Sequence, residues 1–457
     1  MKKTLGPLPR RTVLLGAASM GVVGGLSACA PGSTGASSPA STSSAPVSTD
    51  VASLGKITLT VWDQNTDQGI DDAQQKLNAA FSKKYPNVTV KRVSRSFADL
   101  KTTLKLALSG DDAPDVVQAN QGYPDMGAFV EAKLLQPTTP WDASYGWSTR
   151  YPADLLSLNS FTPDGRTWRK GEVYGISSTG EIVGLFYNKT LLQQLGLTAP
   201  TTMDELIASL PVIAAAGQLP IQYGDADKSA GIHVFGALLS AVAGEQAASD
   251  LVSSAGGAWT DPEVVSAATT LADWAAKTYL PEGHNGLGKD EAVARFGQGE
   301  GVYMFNGTWQ QATLAEALGD AVGFVALAGV DAKPETLGGV GLAWALTSKT
   351  ANANAAAAYV DFVTNAAASQ VLVDTGNLPV VLPEGFQPKA GTLAGDIATS
   401  WQGVSQNGGL VPYLDYATPT FYDTLTGAVQ QLTGAQEDPE QFTQTLQADY
   451  ESFQKSR

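Results

Sequence analysis

Residues 56–90, KITLTVWDQNTDQGIDDAQQKLNAAFSKKYPNVTV, decide the fold. Over residues 56–61 polar and apolar side chains alternate with period two, which puts Ile57, Leu59 and Val61 on one face of a half-buried strand. Over residues 69–85 the spacing becomes helical, with Ala73, Leu77, Ala80 and Phe81 on one stripe, and Pro86 closes that helix. Val88-Thr89-Val90 predicts a second strand, residues 97–108 a second helix, and Asp115-Val116-Val117 a short buried strand after Pro114. A β-α-β-α-β rhythm of this kind calls for a mostly parallel sheet with helices on both faces.

The same grammar returns after a loop-rich interval, residues 137–170, that carries Trp141, Trp147 and Trp168. Residues 182–187 read as a strand, a helix starts at Thr190, and Thr202-Met203-Asp204-Glu205 opens another with a capping box. Thr260-Asp261-Pro262-Glu263 opens a further helix by the same device, its inward stripe being Val264, Ala267, Ala268, Leu271 and Trp274. Residues 338–348 read as one strand, 351–364 as an alanine-rich helix, and 420–432 and 438–453 as two closing helices, the last with Pro439 in its first turn. This much chain exceeds what a single core usually supports, so two α/β lobes are expected.

Ahead of this body, Lys2, Lys3, Arg10 and Arg11 precede a small apolar run over residues 12–26, which reads as an export signal. Leu26-Ser27-Ala28-Cys29 has the form of a lipobox, and Cys29 is the only cysteine of the chain. A single cysteine leaves no partner for an intrachain disulfide and no thiolate cluster for a metal, so its expected role is to carry lipid after cleavage behind residue 28. The paired arginines fit either the general or the twin-arginine export route. Residues 29–55, rich in Ser, Thr, Ala, Pro and Gly, read as a flexible tether.

Charge and chemistry narrow the function by exclusion. The chain has 28 basic and 44 acidic residues; removing residues 1–28 takes four basic and no acidic ones, leaving 24 against 44, a net charge of −20. So acidic a surface disfavours nucleic acid and anionic lipid as partners. The two histidines, His233 and His284, are too far apart for a His-rich metal spacing, and neither a G-x-S-x-G elbow nor a phosphate-binding G-x-x-x-x-G-K-[ST] loop occurs. No cofactor or metal is therefore expected. Paired carboxylates for glycoside hydrolysis stay open, because only geometry separates a working pair from a solvated surface.

What the chain does offer is aromatic rings and amides where strands end: Trp62-Asp63-Gln64-Asn65, Asn120-Gln121-Gly122-Tyr123 and Asn306-Gly307-Thr308-Trp309. In open α/β sheets ligands sit outside the carboxyl ends of strands. A sugar ring needs an aromatic plane for its C–H face and amides or carboxylates for hydroxyls that both donate and accept.

Six motifs, in order, resemble the extracellular solute-binding proteins of ATP-driven sugar importers, the group that includes maltose-binding protein. They are FSKKYPNVTV (81–90), APDVV (113–117), GEIVGLFYNK (180–189), GQGEGVYMFNGTW (297–309), Gly338-Gly339, and Gly376-Asn377-Leu378-Pro379. The resemblance implies a type II periplasmic-binding-protein-like fold. Its two α/β lobes, residues 56–179 with 343–390 and residues 180–342 with 391–457, would be joined by a hinge with crossings near residues 179–182, 340–343 and 388–393. It implies a non-catalytic, monomeric lipoprotein on the outer face of the cytoplasmic membrane, capturing a mono- or oligosaccharide for an ABC permease and its ATPase. The same fold binding a peptide, polyamine or polyol phosphate is the alternative, and a surface-anchored carbohydrate-active enzyme a more distant one. Carried over by position, Trp62, Gln64, Asn120, Gln121 and Tyr123 would face the cleft from the first lobe. Glu181, Asp225, His233, Trp309 and Gly339 would face it from the hinge and second lobe, with Asp415 and Phe421 as C-terminal contacts. Where maltose-type proteins carry an Asp-Arg pair this chain has Pro124-Asp125, so the particular sugar does not transfer.

Overall fold

The computed structural model describes residues 47–457. The predicted export signal, its paired arginines, Cys29 and the tether as far as residue 46 lie outside the described residues. The last residues read as tether are fastened to the body. Ser48 N donates to Asn354 Oδ1 at 3.1 Å, Asn87 Nδ2 donates to the carbonyls of Val51 and Leu54 at 2.9 Å each, and Val51 is buried.

The strands fall into two main sheets. The first starts as the sequence predicts, with β1 (Ile57–Asp63), the helix Ile70–Lys84, β2 (Val88–Ser94), the helix Phe97–Ser109 and β3 (Val116–Ala119). β1 lies parallel to both others, in register Ile57↔Val88 and Val61↔Val116. Next come β4 (Leu135–Gln136), the small antiparallel pair β5 (Ser160–Phe161) and β6 (Glu172–Val173), and β7 (Ile176–Ser177). The chain then crosses at residues 178–179 into β8 (Gly180–Asn188), the spine of the second sheet. β9 (Tyr303–Gly307), β10 (Val322–Val325) and β11 (Thr336–Val340) all pair with β8 antiparallel. β12 (Ala343–Thr347) returns to the first sheet between β3 and β4, and β13 (Leu410–Val411) closes the second beside β11.

Both sheets are therefore mixed, and the expectation of mostly parallel sheets holds for β1, β2 and β3 and for the β11–β13 pair. The reason is the crossing itself. β12 enters the first sheet from the second, so it runs against β3 (Ala343↔Ala119), whereas strands linked by helices within that sheet run together. The same crossing divides what reads as one strand over residues 338–348. The apolar run is continuous, but β11 ends at Val340 and β12 starts at Ala343 in the other sheet. Gly341 stands at the break: its carbonyl accepts from Ser177 Oγ at 2.6 Å and Gln121 Nε2 at 2.9 Å, and a Cβ there would lie 2.2 Å from Thr179 Oγ1.

Helix starts follow local chemistry. Thr202 Oγ1 accepts from Glu205 N at 3.1 Å as predicted, while the Glu205 carboxylate turns to Thr201 N and Oγ1 at 2.7 and 2.8 Å. The helix Pro262–Ala276 is preceded by Asp261 rather than Thr260, and the Asp261 carboxylate accepts from Ala258 N at 2.8 Å, outside the helix. Its inward stripe, Val264, Ala267, Ala268, Leu271 and Trp274, is buried as read. Against the first sheet, Phe81 meets Tyr359 edge-on at 5.2 Å, and Trp344 meets the same Tyr359 at 6.0 Å. All three rings are fully buried, and truncating one of this kind to alanine costs about 3–5 kcal/mol.

Candidate ligand-binding site

A cavity of about 180 Å³ opens where residues of both sheets meet those of the first two crossings, at residues 178–179 and 341–342. Gln64, Asn65, Gln118 and Asn120 reach it from the ends of β1 and β3, and Thr179, Glu181 and Leu342 from the crossings. Ser229, His233, Asn306, Trp309 and Gln310 come from the second sheet and its helices, and Tyr413, Asp415, Tyr416 and Tyr422 from the C-terminal segment.

Several of its amides are scaffolding. Asp63, with no exposure, receives Arg92 Nε at 2.6 Å and Ser94 Oγ at 2.9 Å, and Asn65 N donates to it at 3.0 Å. That buried knot shapes the turn after β1. Gln118 Oε1 accepts from Gln64 N at 2.8 Å, and Gln118 Nε2 donates to Asn65 Oδ1 at 3.2 Å. Both groups of Asn120 are engaged as well: Nδ2 donates to Asp125 at 3.2 Å and Oδ1 accepts from the Tyr416 hydroxyl at 3.1 Å. The side chains of Gln64 and Gln310 have no hydrogen bond to another described residue, so both amides are available to a guest.

One wall is aromatic. Trp309, His233, Tyr413 and Tyr416 touch in succession, with centroids 5.3, 5.9 and 5.6 Å apart. Burial, with the Lys289 charge nearby, depresses the His233 imidazole to about 4, so it stands in this wall as a neutral ring at physiological pH.

The acids are poised differently from surface carboxylates. Burial pushes Glu181 up to about 7 against the smaller opposing effect of a hydrogen bond from Thr179. Asp415, 5% exposed, is raised to about 6 by burial, with Lys101 opposing and Asp125 reinforcing the shift. Neither carboxylate forms an ion pair among the described residues. Lys101 is spent elsewhere: its ammonium sits 2.8 Å from Asp125 Oδ2 and 4.4 Å above the Tyr422 ring.

Of the residues expected at the cleft, Gln64, Asn120, Glu181, His233, Trp309 and Asp415 line this cavity. The other six stand elsewhere. Strand alternation turns Trp62 to the face opposite Val61 and Asp63, where Arg95 stacks on it at 4.5 Å. Gln121 is buried, its amide nitrogen on Asn159 Oδ1 and the Gly341 carbonyl. Tyr123 packs between Phe161 and Phe453 at 5.7 and 4.8 Å. Asp225, 1% exposed, accepts from Gly231 N at 3.0 Å at the start of the helix Ala230–Ala243, which lines the cavity. Gly339 pairs with Glu181 in β11 and its Cα faces Leu158, and Phe421 is buried 4.5 Å from Trp259.

Sequence reasoning missed Phe97, Lys289, Gln310, Tyr413, Tyr416 and Tyr422, all of which line the cavity. The run Tyr413-Leu414-Asp415-Tyr416 was a signal, since two phenols flanking one acid in a loop make a poor core. Lys289, at the start of the helix Lys289–Gly297, gave none.

Two sheets exchanging strands around a cavity walled by rings, amides and unpaired carboxylates define a two-lobe solute-binding protein of the type II periplasmic-binding fold. Residues 66–370 match the family described as bacterial extracellular solute-binding protein, and the chain belongs to that family. A multiple sugar-binding protein of Streptococcus mutans is 24% identical over 341 residues, 72% of this chain and 76% of its own. The melibiose/raffinose/stachyose-binding protein MelE of Bacillus subtilis is 25% identical over 188 residues, 39% of each chain. Among solved structures, a chitin oligosaccharide binding protein superposes with a TM-score of 0.75 at 22% identity, over 87% of this chain and 98% of its own. RafE in complex with raffinose gives 0.69 at 20% identity, over 87% and 99%. Among the described residues no helix is long and apolar enough to cross a membrane.

Proposed function

We propose that this protein is the non-catalytic capture subunit of an ABC importer, taking a mono- or oligosaccharide into the cavity between its sheets and delivering it to a membrane permease driven by a separate ATPase. The observation that carries the reading is the pairing, in one cavity, of the half-buried Trp309 plane with carboxylates that form no ion pair and with two amides free of hydrogen bonds among the described residues. A pyranose lays its C–H face on such a plane and gives its hydroxyl protons to Glu181 and Asp415, while the free amides of Gln64 and Gln310 both donate and accept. The relatives named for multiple sugars and for melibiose, raffinose and stachyose support a sugar over another solute. In this reading residues 56–179 with 343–390 and residues 180–342 with 391–457 are the moving lobes, and closure about the crossings presents the liganded form to the permease. The protein works as a monomer, and lipid on Cys29 holds it at the outer face of the cytoplasmic membrane.

Calorimetry and thermal unfolding of the purified mature protein against a sugar panel, with a peptide and a polyamine alongside, test the reading. Ligand that binds only the native state raises the midpoint by mass action. A rise with at least one sugar and no new reducing ends from the oligosaccharides is the expected result; a rise with the peptide or polyamine alone would move the assignment to that solute.

A further inference from the structure

We propose that the end of the first sheet remote from the cavity is a membrane-facing surface, on which the lipid-held protein stands against an anionic bilayer with its second lobe turned away. The inference rests on the anchor reading above and adds which face meets the lipid. Topology sets the two ends apart. β1, β2 and β3 run parallel, and the carboxyl ends of β1 and β3 deliver Gln64, Asn65 and Asn120 to the cavity. The amino ends lie at the opposite end of the sheet, and there residue 47 enters: Ser48 is fastened to Asn354, and the segment after it to Asn87, just ahead of β2. The predicted tether from Cys29 therefore joins the body at the end remote from the cavity.

The acidity that sets the chain as a whole against anionic lipid is unevenly spread. Residues 47–179 with 343–390, the first lobe and the segment leading into it, carry 16 basic and 18 acidic side chains, a net charge of −2. Residues 180–342 with 391–457 carry 8 basic and 26 acidic, a net charge of −18. An anionic bilayer attracts lysines and repels carboxylates that come within roughly a Debye length, about 8 Å at physiological salt. The second lobe is thus driven outward, and the first is free to approach.

The remote end adds attraction of its own. Lys56 precedes β1, Lys83 and Lys84 stand in the last turn of the helix before β2, and Lys105 lies near the end of the helix before β3. Lys133 comes just ahead of β4 and Lys349 just past β12, and all six are exposed. The Lys349 ammonium donates to the carbonyls of Ser109 and Gly110 at 2.7 Å each, which binds two of these turns together. The exposed carboxylates at this end are those of Asp50, Asp111, Asp112 and Glu131, so lysines are in surplus. Five large apolar side chains stand exposed among the described residues, and two of them, Leu106 at 78% and Val47 at 43%, are here. Lys84 also lies over the half-buried rings of Tyr85 and Phe362, at 5.1 and 5.6 Å. Lysines on long apolar stems, a tyrosine and a bare leucine are side chains that a headgroup layer accepts.

The test couples the mature chain through Cys29, its only cysteine, to a maleimide lipid in two kinds of vesicle, phosphatidylcholine alone and phosphatidylcholine with phosphatidylglycerol at two to one. A brief pulse of an acetylating reagent, read by mass spectrometry, reports the accessibility of each lysine. On the anionic vesicles Lys83, Lys105 and Lys133 should be labelled about threefold more slowly than on the neutral ones, and Lys228 and Lys277 of the second lobe at an unchanged rate. The difference should vanish in molar salt, where screening shortens the reach of charge to about 3 Å. Lys83→Glu combined with Lys105→Glu should abolish the protection of Lys133 and leave sugar affinity by calorimetry at the parent's value. Equal rates on the two vesicles, or protection of Lys228 and Lys277, overturns the membrane-facing surface and leaves the anchor reading standing, because the coupling supplies the anchor. Protein recovered from its own membranes without lipid on Cys29 overturns the anchor reading, and the surface with it.

Discussion

The indole of Trp309 folds back onto the α-carbon of Gly307, so closely that a methyl group on Gly307 would stand 2.0 Å from ring carbon Cζ3. The ring therefore holds its place in the wall because residue 307 has no side chain. Gly307→Ala should displace the indole and weaken sugar binding nearly as much as Trp309→Ala, by roughly 1–3 kcal/mol in each case, the range for losing an anchoring aromatic. Calorimetry reads the affinity and circular dichroism the fold; an alanine at 307 with wild-type affinity would separate the ring's position from binding.

Glu181 and Asp415 make the empty protein less stable as pH rises. Each carboxyl is raised in the folded state, to about 7 and about 6, above its ordinary value of 4.5 or 3.8. The unfolded chain therefore gives up these protons first, and stability present below about pH 4 is lost progressively up to about pH 7. Glu181→Gln removes its share. The variant should gain up to about 3 kcal/mol on the parent between pH 4 and 8, less whatever water in the cavity screens. Urea unfolding at several pH values measures this, and parallel curves for the two proteins would count against it.

His233 acts with the opposite sign. Its imidazole titrates near 4 in the fold because burial, and then Lys289, disfavour the cation. The unfolded chain takes up that proton first as pH falls, so this contribution is present above about pH 6.5 and lost toward pH 4. Proton NMR of the imidazole should show a neutral ring at pH 6, and a midpoint in the ordinary histidine range would contradict the packing of that wall.

What was legible in the sequence was whatever rests on short-range pattern. The alternation at Ile57, Leu59 and Val61, the stripe through Leu77 and Phe81, and the side chain of Thr202 each announce their element, because each depends on neighbours a few residues away. The division of residues 338–348 was not legible in the apolar pattern, since only the distant partners of β11 and β12, Glu181 and Ala119, separate them; the crossing near residues 340–343 came from the family resemblance alone. The site followed the same rule. Trp309 and Glu181 stand out by motif, but whether an amide is free or engaged depends on groups far along the chain. Gln64 and Gln121 look alike in sequence, yet Gly341, 220 residues away, takes up the second.

Asp63 and Arg92 form a buried pair whose loss should be felt through the fold before the site. Arg92 also reaches Asp71 at 2.5 Å, and burial leaves Asp63 no access to water. Asp63→Ala leaves the Asn65 amide without its acceptor while Arg92 keeps Asp71 and the Asn65 carbonyl, so unfolding free energy should fall by about 1–3 kcal/mol, the range for a buried polar group left unsatisfied. Replacing both partners with apolar residues of similar size should recover part of that loss. A single variant within 1 kcal/mol of the parent by urea unfolding would show the knot to be dispensable.

Tyr416 ties the C-terminal segment to the end of the first sheet, and its hydroxyl is the tie. It lies 3.1 Å from Asn120 Oδ1 and 3.1 Å from Gln121 Oε1, two acceptors on the loop after β3, although the segment it belongs to follows β13 of the second sheet. Tyr416→Phe keeps the ring contacts with Tyr413 and Trp168 at 5.6 Å each and removes only the donor. Two buried amide oxygens then lose it, which costs about 1–3 kcal/mol. If the sheets move against each other on closure, the loss falls on the closed form, so ligand affinity should drop with little change in the unfolding midpoint of the empty protein. If the tie persists when the cleft opens, the midpoint drops and the affinity holds. Calorimetry and thermal unfolding on the same variant read the two quantities separately. Closure-dependent contact is the expected result, because Asp415 and Tyr416 both line the cavity and a sugar spanning the two sheets would hold Tyr416 against Asn120.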